Sequence, residues 1–177
     1  MNSKRIAVSN SGPLIHLGKA GQLELLFSFF DQILIPEKVY GEVVVKGLEK
    51  AAPDALQVKR LIDQKRIQIQ NPTSNLEFDP SAAGVHLGEL DAIALALELP
   101  DQVVLLDDHA GRLLAQALGL RVRGSLGIIL AAVENNVISL EKGISIVRLL
   151  SRIMYLSAEV YDYVITELNN RISPGTV

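Results

Sequence analysis

Two adjacent carboxylates, Asp107 and Asp108, end the apolar run in the sequence VVLLDDHAGR. The residues before them lack polar alternation, which predicts a strand buried on both faces. A helix N-cap needs one Asp, so capping accounts for one of the two side chains and leaves the other unexplained. A cation accounts for both, because Mg²⁺ prefers oxygen ligands and offsets the repulsion between neighbouring carboxylates. The pair therefore indicates metal chemistry at the end of this strand.

Other polar side chains are expected to reach the same place. Asn10 and Ser11 follow the apolar run RIAVS, where either one can cap the next helix or contact a cation and its water. Glu42 lies on the predicted helix PEKVYGEVV, and Glu89 and Asp91 lie in the first turns of the predicted helix LGELDAIALALEL. Residues two apart on a helix do not share a face, so Glu89 and Asp91 do not both point at one ion. Acidic groups and an amide oxygen together suit a hard divalent cation beside a phosphate.

The composition indicates one well-filled domain. The chain has 177 residues, of which 49% are hydrophobic, and its mean hydropathy is +0.28. The formal charge of −3 and the pI of about 5.6 give no global positive field, so contact with nucleic acid would need a local basic patch or a metal. The absence of cysteine excludes disulfides, thiolate zinc sites and cysteine nucleophiles, and it fits a reducing compartment.

No segment of the sequence resembles a targeting or membrane-spanning element. The N-terminus MNSKRIAVSNSG lacks the apolar stretch of a signal peptide, and no run reaches about 18 uninterrupted apolar residues. We therefore expect a soluble, cytoplasmic protein without membrane contacts.

The elements that must position these side chains alternate between strands and helices. Short apolar runs such as QILIP and QVVLLDD are separated by amphipathic helical patterns, which predicts a three-layer α/β/α sandwich with a central parallel sheet. We expect a single domain over 1–177, with a helical extension from about residue 137 and a long loop at 71–86 that could act as a flap. Such sheets bind ligands beyond the carboxyl ends of their strands, where the strand order reverses.

Four segments together resemble the PIN-domain nucleases, and in particular their VapC-type toxin branch. These segments are VSNSGPLIHL, IPEKVYGEV, LGELDAIALALEL and VVLLDDHAGRLLAQALGLRVRGSLGIIL, and the likeness runs from about residue 6 to residue 133. The resemblance implies a PIN-like fold and a metal-dependent endoribonuclease that uses Mg²⁺ or Mn²⁺ to direct water at an RNA phosphodiester. It also implies a protein antitoxin as a partner.

The resemblance also assigns roles to individual positions. Asn10 stands where the family usually has Asp, and a neutral carbonyl oxygen there lowers the expected metal affinity. Asp91 is preferred over Glu89 as the third acid, and Asp108, with Asp107 beside it, is the fourth. The implied catalytic residues are Asn10, Glu42, Asp91 and Asp108. The implied metal ligands are Asn10, Asp91 and Asp108. Supporting contacts to cofactor or substrate are expected from Ser11, Glu89, Asp107 and Arg112.

The remaining candidate residues have more than one interpretation. Arg112 can bind a phosphate with two hydrogen bonds or pair with a nearby Asp. His16 is expected in the core or on the surface rather than in catalysis, and His109 either contacts substrate or faces solvent. His86 lies in the long loop before LGE and can approach the site, but the three histidines lack zinc-binding spacing.

Two other functions compete with the nuclease. The replacement at Asn10 and the lack of a basic stripe favour a catalytically weak or inactive PIN-like module that binds nucleic acid or protein. A small-molecule or nucleotide-binding α/β domain is less consistent, because SNSGPL is not a glycine-rich phosphate loop. The apolar stretches ISIVRLLSRIMYL and LFSFF predict a hydrophobic surface that a second copy or an antitoxin covers, and a homodimer is the expected state.

Overall fold

The computed structural model describes residues 4–74, residue 76 and residues 87–170. Within these residues the chain forms a five-stranded sheet in the order β3-β2-β1-β4-β5, and each neighbouring pair is parallel. The strands are β1 (Ile6–Ser9), β2 (Gln32–Ile35), β3 (Ile67–Ile69), β4 (Val103–Leu105) and β5 (Arg121–Arg123). The predicted apolar runs therefore become parallel strands.

Helices connect these strands and continue to the end of the described chain. They are α1 (Ser11–Lys19), α2 (Glu37–Tyr40), α3 (Lys46–Glu49), α4 (Pro53–Asp63), α5 (Leu87–Leu97), α6 (His109–Ala117), α7 (Ser125–Glu134), α8 (Leu140–Ile153) and α9 (Ala158–Asn170). No helix within the described residues is both long and apolar enough to cross a membrane.

The sheet separates two hydrophobic cores because successive side chains of a strand point to opposite faces. On β1, Ala7 belongs to one core and Val8 to the other, and on β2 the same division holds for Ile33 and Leu34. Helices α1, α4, α7, α8 and α9 supply side chains to the larger core, and α5 and α6 supply them to the smaller one. This arrangement is the predicted three-layer α/β/α sandwich.

The C-terminal helices are part of the larger core. Ile146, Val147 and Leu150 of α8 and Val164 and Leu168 of α9 are buried in it. The helical extension expected from about residue 137 thus packs onto the face of the sandwich that α7 covers.

Two segments depart from regular α-helix. The stretch QLELLFSFF, whose apolar residues have helical spacing, forms a 3-10 helix at Leu23–Ser28. Between α2 and α3 the chain makes a π-helical turn at Gly41–Val45. Within this turn Val43 is buried and Glu42 is exposed.

The strand order creates a switch point between β1 and β4. The chain leaves β1 toward β2 and β3 on one side, and β4 leads to β5 on the other side. Val8 pairs with Val104 in register, and the backbone N–H of Asn10 extends the pairing to the carbonyl of Leu105 at 3.1 Å. The residues that follow β1 and β4 therefore lie side by side, where parallel sheets commonly bind ligands.

Candidate active site

An open cleft of about 680 Å³ lies at this edge of the sheet. The segments after β1 and β4, the π-helical turn and the first turn of α5 all contribute to it. Its polar lining consists of Asn10, Ser11, His16, Glu42, Glu89, Asp107, Asp108 and His109. Side chains that are up to about a hundred positions apart in the sequence thus meet in one place.

Asn10 is held by hydrogen bonds within the protein. It is the N-cap of α1, and its Oδ1 accepts a 2.6 Å hydrogen bond from the backbone N–H of Ser11. Because that donor is a backbone N–H, the amide must present its Nδ2 on the other side, where it donates to Oε1 of Glu89 at 3.2 Å. Asn10 is only 7% exposed. The predicted capping role is therefore present, and the amide gives Glu89 a hydrogen-bond donor.

Ser11 connects the start of α1 to Glu42. Its hydroxyl donates a short hydrogen bond to Oε2 of Glu42. The other oxygen, Oε1, receives no hydrogen bond from the described residues, and it faces Gly88, where an added Cβ would lie 3.5 Å away. The start of α5 therefore borders the Glu42 carboxylate at the edge of the cleft.

Glu89 and Asp91 take different directions, as their spacing on α5 requires. Glu89 is 4% exposed, lines the cleft and packs against Gly111. Asp91 instead forms an ion pair with Lys38, with Nζ and Oδ2 2.8 Å apart, and is not among the residues that line the cleft. The sequence interpretation preferred Asp91 over Glu89, but the structure places Glu89 in the cleft, because the rotation of α5 turns Glu89 toward Asn10.

Asp107 and Asp108 also have separate roles. Oδ1 of Asp108 accepts the backbone N–H of Gly111 at 3.0 Å and so caps α6, while the side chain is exposed. Asp107 accepts three hydrogen bonds of 2.6 Å each, one from His16 Nδ1–H and two from the N–H and O–H of Ser125. Protein donors therefore satisfy the carboxylate that capping left unexplained.

Sequence reasoning did not anticipate two members of this site, His16 and Ser125. Ser125 directly follows Gly124 at the exit of β5, the neighbour of β4, so its place at a strand exit was an available signal. No sequence pattern pointed to His16, because its partner Asp107 lies 91 positions away.

The other predicted contacts are placed as follows. Nη1 of Arg112 donates to the backbone carbonyl of Leu106 at 3.0 Å. His109 is exposed at the start of α6 and lines the cleft. His86 lies outside the described residues, as does most of the expected flap.

The chemistry of the donors fits a hard divalent cation. The acidic lining offers carboxylate oxygens, which Mg²⁺ and Mn²⁺ prefer. Oε1 of Glu42 and Oδ2 of Asp108 receive no hydrogen bond from the described residues. Among the described residues, however, no group of three or more His, Asp or Glu side chains is arranged so that it could hold a metal ion. The carboxylates instead hydrogen-bond Asn10, Ser11 and Gly111.

Comparison with known proteins gives one family. A search of curated proteins found no match. The family model DUF3368, described as a PIN domain, matches residues 6–170. That range includes all five strands of the described sheet and every polar side chain that lines the cleft. The chain belongs to this PIN-domain family.

Proposed function

We propose that this protein is a metal-dependent endoribonuclease that hydrolyses RNA phosphodiesters with Mg²⁺ or Mn²⁺. PIN domains are generally nucleases, and PIN nucleases typically use divalent metals. The observation that carries the proposal is that three carboxylates from separate elements, those of Glu42, Glu89 and Asp108, line one cleft at the switch point of the sheet.

In this proposal Glu42, Glu89 and Asp108 would supply carboxylate oxygens to the ion, and to do so they would have to approach one another more closely than in the structure. A bound divalent cation would polarise the phosphodiester and lower the pKa of water. The chain itself orients the carboxylates, because Asn10 donates to Glu89 and Ser11 donates to Glu42. Asp108 is fixed at the start of α6 by its hydrogen bond from Gly111.

The neutral amide of Asn10 should lower the affinity of this site for a divalent cation. It removes one negative charge from a hard-ion site, which weakens both metal binding and the positioning of the attacking water. We expect slow cleavage of single-stranded RNA that Mn²⁺ supports better than Mg²⁺. Asn10→Asp should raise the cleavage rate, and Asp108→Asn should abolish it.

The assay uses a labelled single-stranded RNA with each metal in turn. Asp108→Asn is informative because Asn caps a helix as well as Asp does, so α6 keeps its N-cap while the charge is lost. Asp63→Asn provides the matched control, since Asp63 is exposed on α4 and forms an ion pair with Lys59, away from the cleft. This control should cleave at the wild-type rate.

A second candidate function is a PIN-like module that binds nucleic acid or protein without cleaving RNA. The hydrogen bond from Asn10 Nδ2 to Glu89 favours it, because an amide donor from the protein occupies an oxygen that the nuclease would offer to the cation. If Asn10→Asp gives a folded protein that cleaves no RNA tested, this function replaces the nuclease.

We further infer that the protein is the toxin of a toxin–antitoxin pair and acts in the cytoplasm. The likeness to VapC-type toxins supports this role. Induction in a bacterial host should arrest growth, Asp108→Asn should not, and co-expression of an adjacent short reading frame should restore growth. Growth that continues at high expression of an active nuclease would contradict the toxin role.

A further inference from the structure

A network of hydrogen bonds at the cleft joins His16, Asp107 and Ser125, and none of the three is a ligand in the proposed metal site. His16 Nδ1–H donates to Oδ2 of Asp107 at 2.6 Å, and the hydroxyl of Ser125 donates to the same oxygen at 2.6 Å. The backbone N–H of Ser125 donates to Oδ1, also at 2.6 Å. The Asp107 side chain is 8% exposed and Ser125 is fully buried. Both Asp107 oxygens are therefore committed to His16 and Ser125.

This arrangement fixes the tautomer of His16. A carboxylate only accepts hydrogen bonds, so the shared proton lies on Nδ1, and in the neutral ring Nε2 then carries a lone pair. Nε2 has no hydrogen-bond partner among the residues that the structure describes. The ring lines the cleft, with a side-chain exposure of 22%. Neutral His16 thus has an unprotonated Nε2 on a ring that lines the cleft, and the buried carboxylate of Asp107 orients that ring.

We propose that His16 is the proton acceptor for the water that attacks phosphorus, an inference that rests on the proposed nuclease function. The O–H bond of the water breaks and its proton moves to Nε2, while the water oxygen forms a bond to phosphorus. The bond between phosphorus and the leaving oxygen breaks, and that oxygen takes a proton from solvent. The imidazolium, which Asp107 stabilises, then returns its proton to solvent. The net reaction is hydrolysis of the phosphodiester.

Other side chains in the cleft are less suited to this step. Glu42, Glu89 and Asp108 are the residues expected to hold the ion, and Asp107 already accepts three hydrogen bonds. His109 is exposed at the start of α6. Where a side chain acts as the base that activates a nucleophile, a third group commonly orients that base, as Asp107 orients His16.

The test compares kcat and KM for a labelled single-stranded RNA with Mn²⁺, in the Asn10→Asp background if the wild type is too slow. His16→Gln should lower kcat by about 10²- to 10⁴-fold, the usual contribution of a general base, with KM within about twofold. Imidazole added to His16→Ala should restore part of the lost kcat and leave the wild type unchanged. Lys19→Gln, an exposed change on the same helix, should keep the wild-type kcat.

A second measurement does not depend on activity. In ¹⁵N spectra of histidine side chains, neutral His16 should carry its proton on Nδ1, and Asp107→Asn should change that signal. The proposal is overturned if His16→Gln retains the full kcat or if the proton lies on Nε2. If neither the wild type nor Asn10→Asp cleaves RNA, the nuclease function fails and this inference fails with it. If this inference alone is wrong, the wild type or Asn10→Asp cleaves RNA and the His16→Gln change does not lower kcat.

Discussion

Glu89 and Asp91 have the same charge and lie two positions apart, but their surroundings differ. Glu89 is nearly buried beside Asn10, whereas Asp91 pairs with Lys38, whose side chain is half exposed. The Lys38 ammonium group therefore already neutralises the charge of Asp91, and it does so outside the cleft. The cleft-facing carboxylate should therefore be the one that a divalent cation requires.

We predict that Glu89→Gln removes most of the stabilisation by metal and that Asp91→Asn does not. A ligand at a hundred times its dissociation constant stabilises the native state by about 2.7 kcal/mol. For a chain of this size that is a rise in Tm of about 5–10 °C. Thermal melts with and without Mn²⁺ measure it. Equal rises in wild type and Glu89→Gln would exclude Glu89 from the metal site.

Gly124 lets Asp107 approach the start of α7. A Cβ at this position would lie 2.7 Å from Oδ1 of Asp107 and 3.1 Å from the backbone carbonyl of Leu106. The carbonyl belongs to the backbone and yields little, so Gly124→Ala must displace Asp107 or the chain around it. We expect it to lower the free energy of unfolding by about 1–3 kcal/mol, the usual cost of overpacking.

Urea denaturation measures this effect, and Gly127 in α7 gives a matched control. A Cβ at Gly127 meets no atom within 4 Å, so Gly127→Ala should raise stability by about 0.5–1 kcal/mol through helix propensity. If both variants changed stability in the same direction, the close approach at Gly124 would not be the cause.

The carboxylate of Glu98 links the end of helix α5 to the segment after β3. Glu98, which directly follows α5, accepts hydrogen bonds at Oε1 from the Thr73 hydroxyl at 2.8 Å and from the Thr73 N–H at 2.7 Å. The hydrogen bond from the Thr73 hydroxyl lowers the pKa of Glu98 most, and the hydrogen bond from the Thr73 N–H lowers it further. A lowered folded-state pKa adds stability above the unfolded pKa, and this stability is lost as the pH falls through the folded value.

We therefore predict that Glu98→Gln is less stable than the wild type at neutral pH and that the difference disappears in acid. Urea midpoints at several pH values measure it. In a Thr73→Val background, Glu98→Gln should have a smaller effect, because the main hydrogen bond is already absent. A difference that stays constant down to strongly acidic pH would contradict the assignment to Glu98.

The sequence predicted the elements better than the contacts between them. The apolar runs predicted strands at β1, β2 and β4. The residues that follow β1 and β4, Asn10 and Asp107, lie at one edge of the sheet in the structure. Spacing showed that Glu89 and Asp91 face different ways, but it could not show which one faces the cleft, since that depends on how α5 rotates against the sheet. The bonds from Asn10 to Glu89 and from His16 to Asp107 span 79 and 91 positions, so they exist only once β1 lies beside β4.

At the scale of the whole molecule, the acidic cleft lies next to an apolar surface. Acidic side chains meet at the switch point of the sheet, while exposed apolar side chains occur along the C-terminal helices. A groove of about 750 Å³ adjoins the cleft there, and Leu126, Leu130, Val160 and Tyr163 contribute to its apolar lining. The side chains on this surface include Tyr155, which is 93% exposed, and Tyr163, which is 61% exposed. Exposed apolar side chains beside a groove that polar residues also line are typical of an interface.

We propose that a second copy of the chain covers this surface, and we predict a homodimer in sedimentation velocity experiments. Tyr163→Lys should shift the protein to the monomer, because burial of the interface would desolvate the added ammonium group. Leu56→Lys is the matched control, since Leu56 is also 61% exposed but lies on α4. It should leave the dimer intact. A wild type that sediments as a monomer, or a dimer that Tyr163→Lys does not weaken, would place the apolar surface outside any interface between copies and leave a protein antitoxin as the expected occupant.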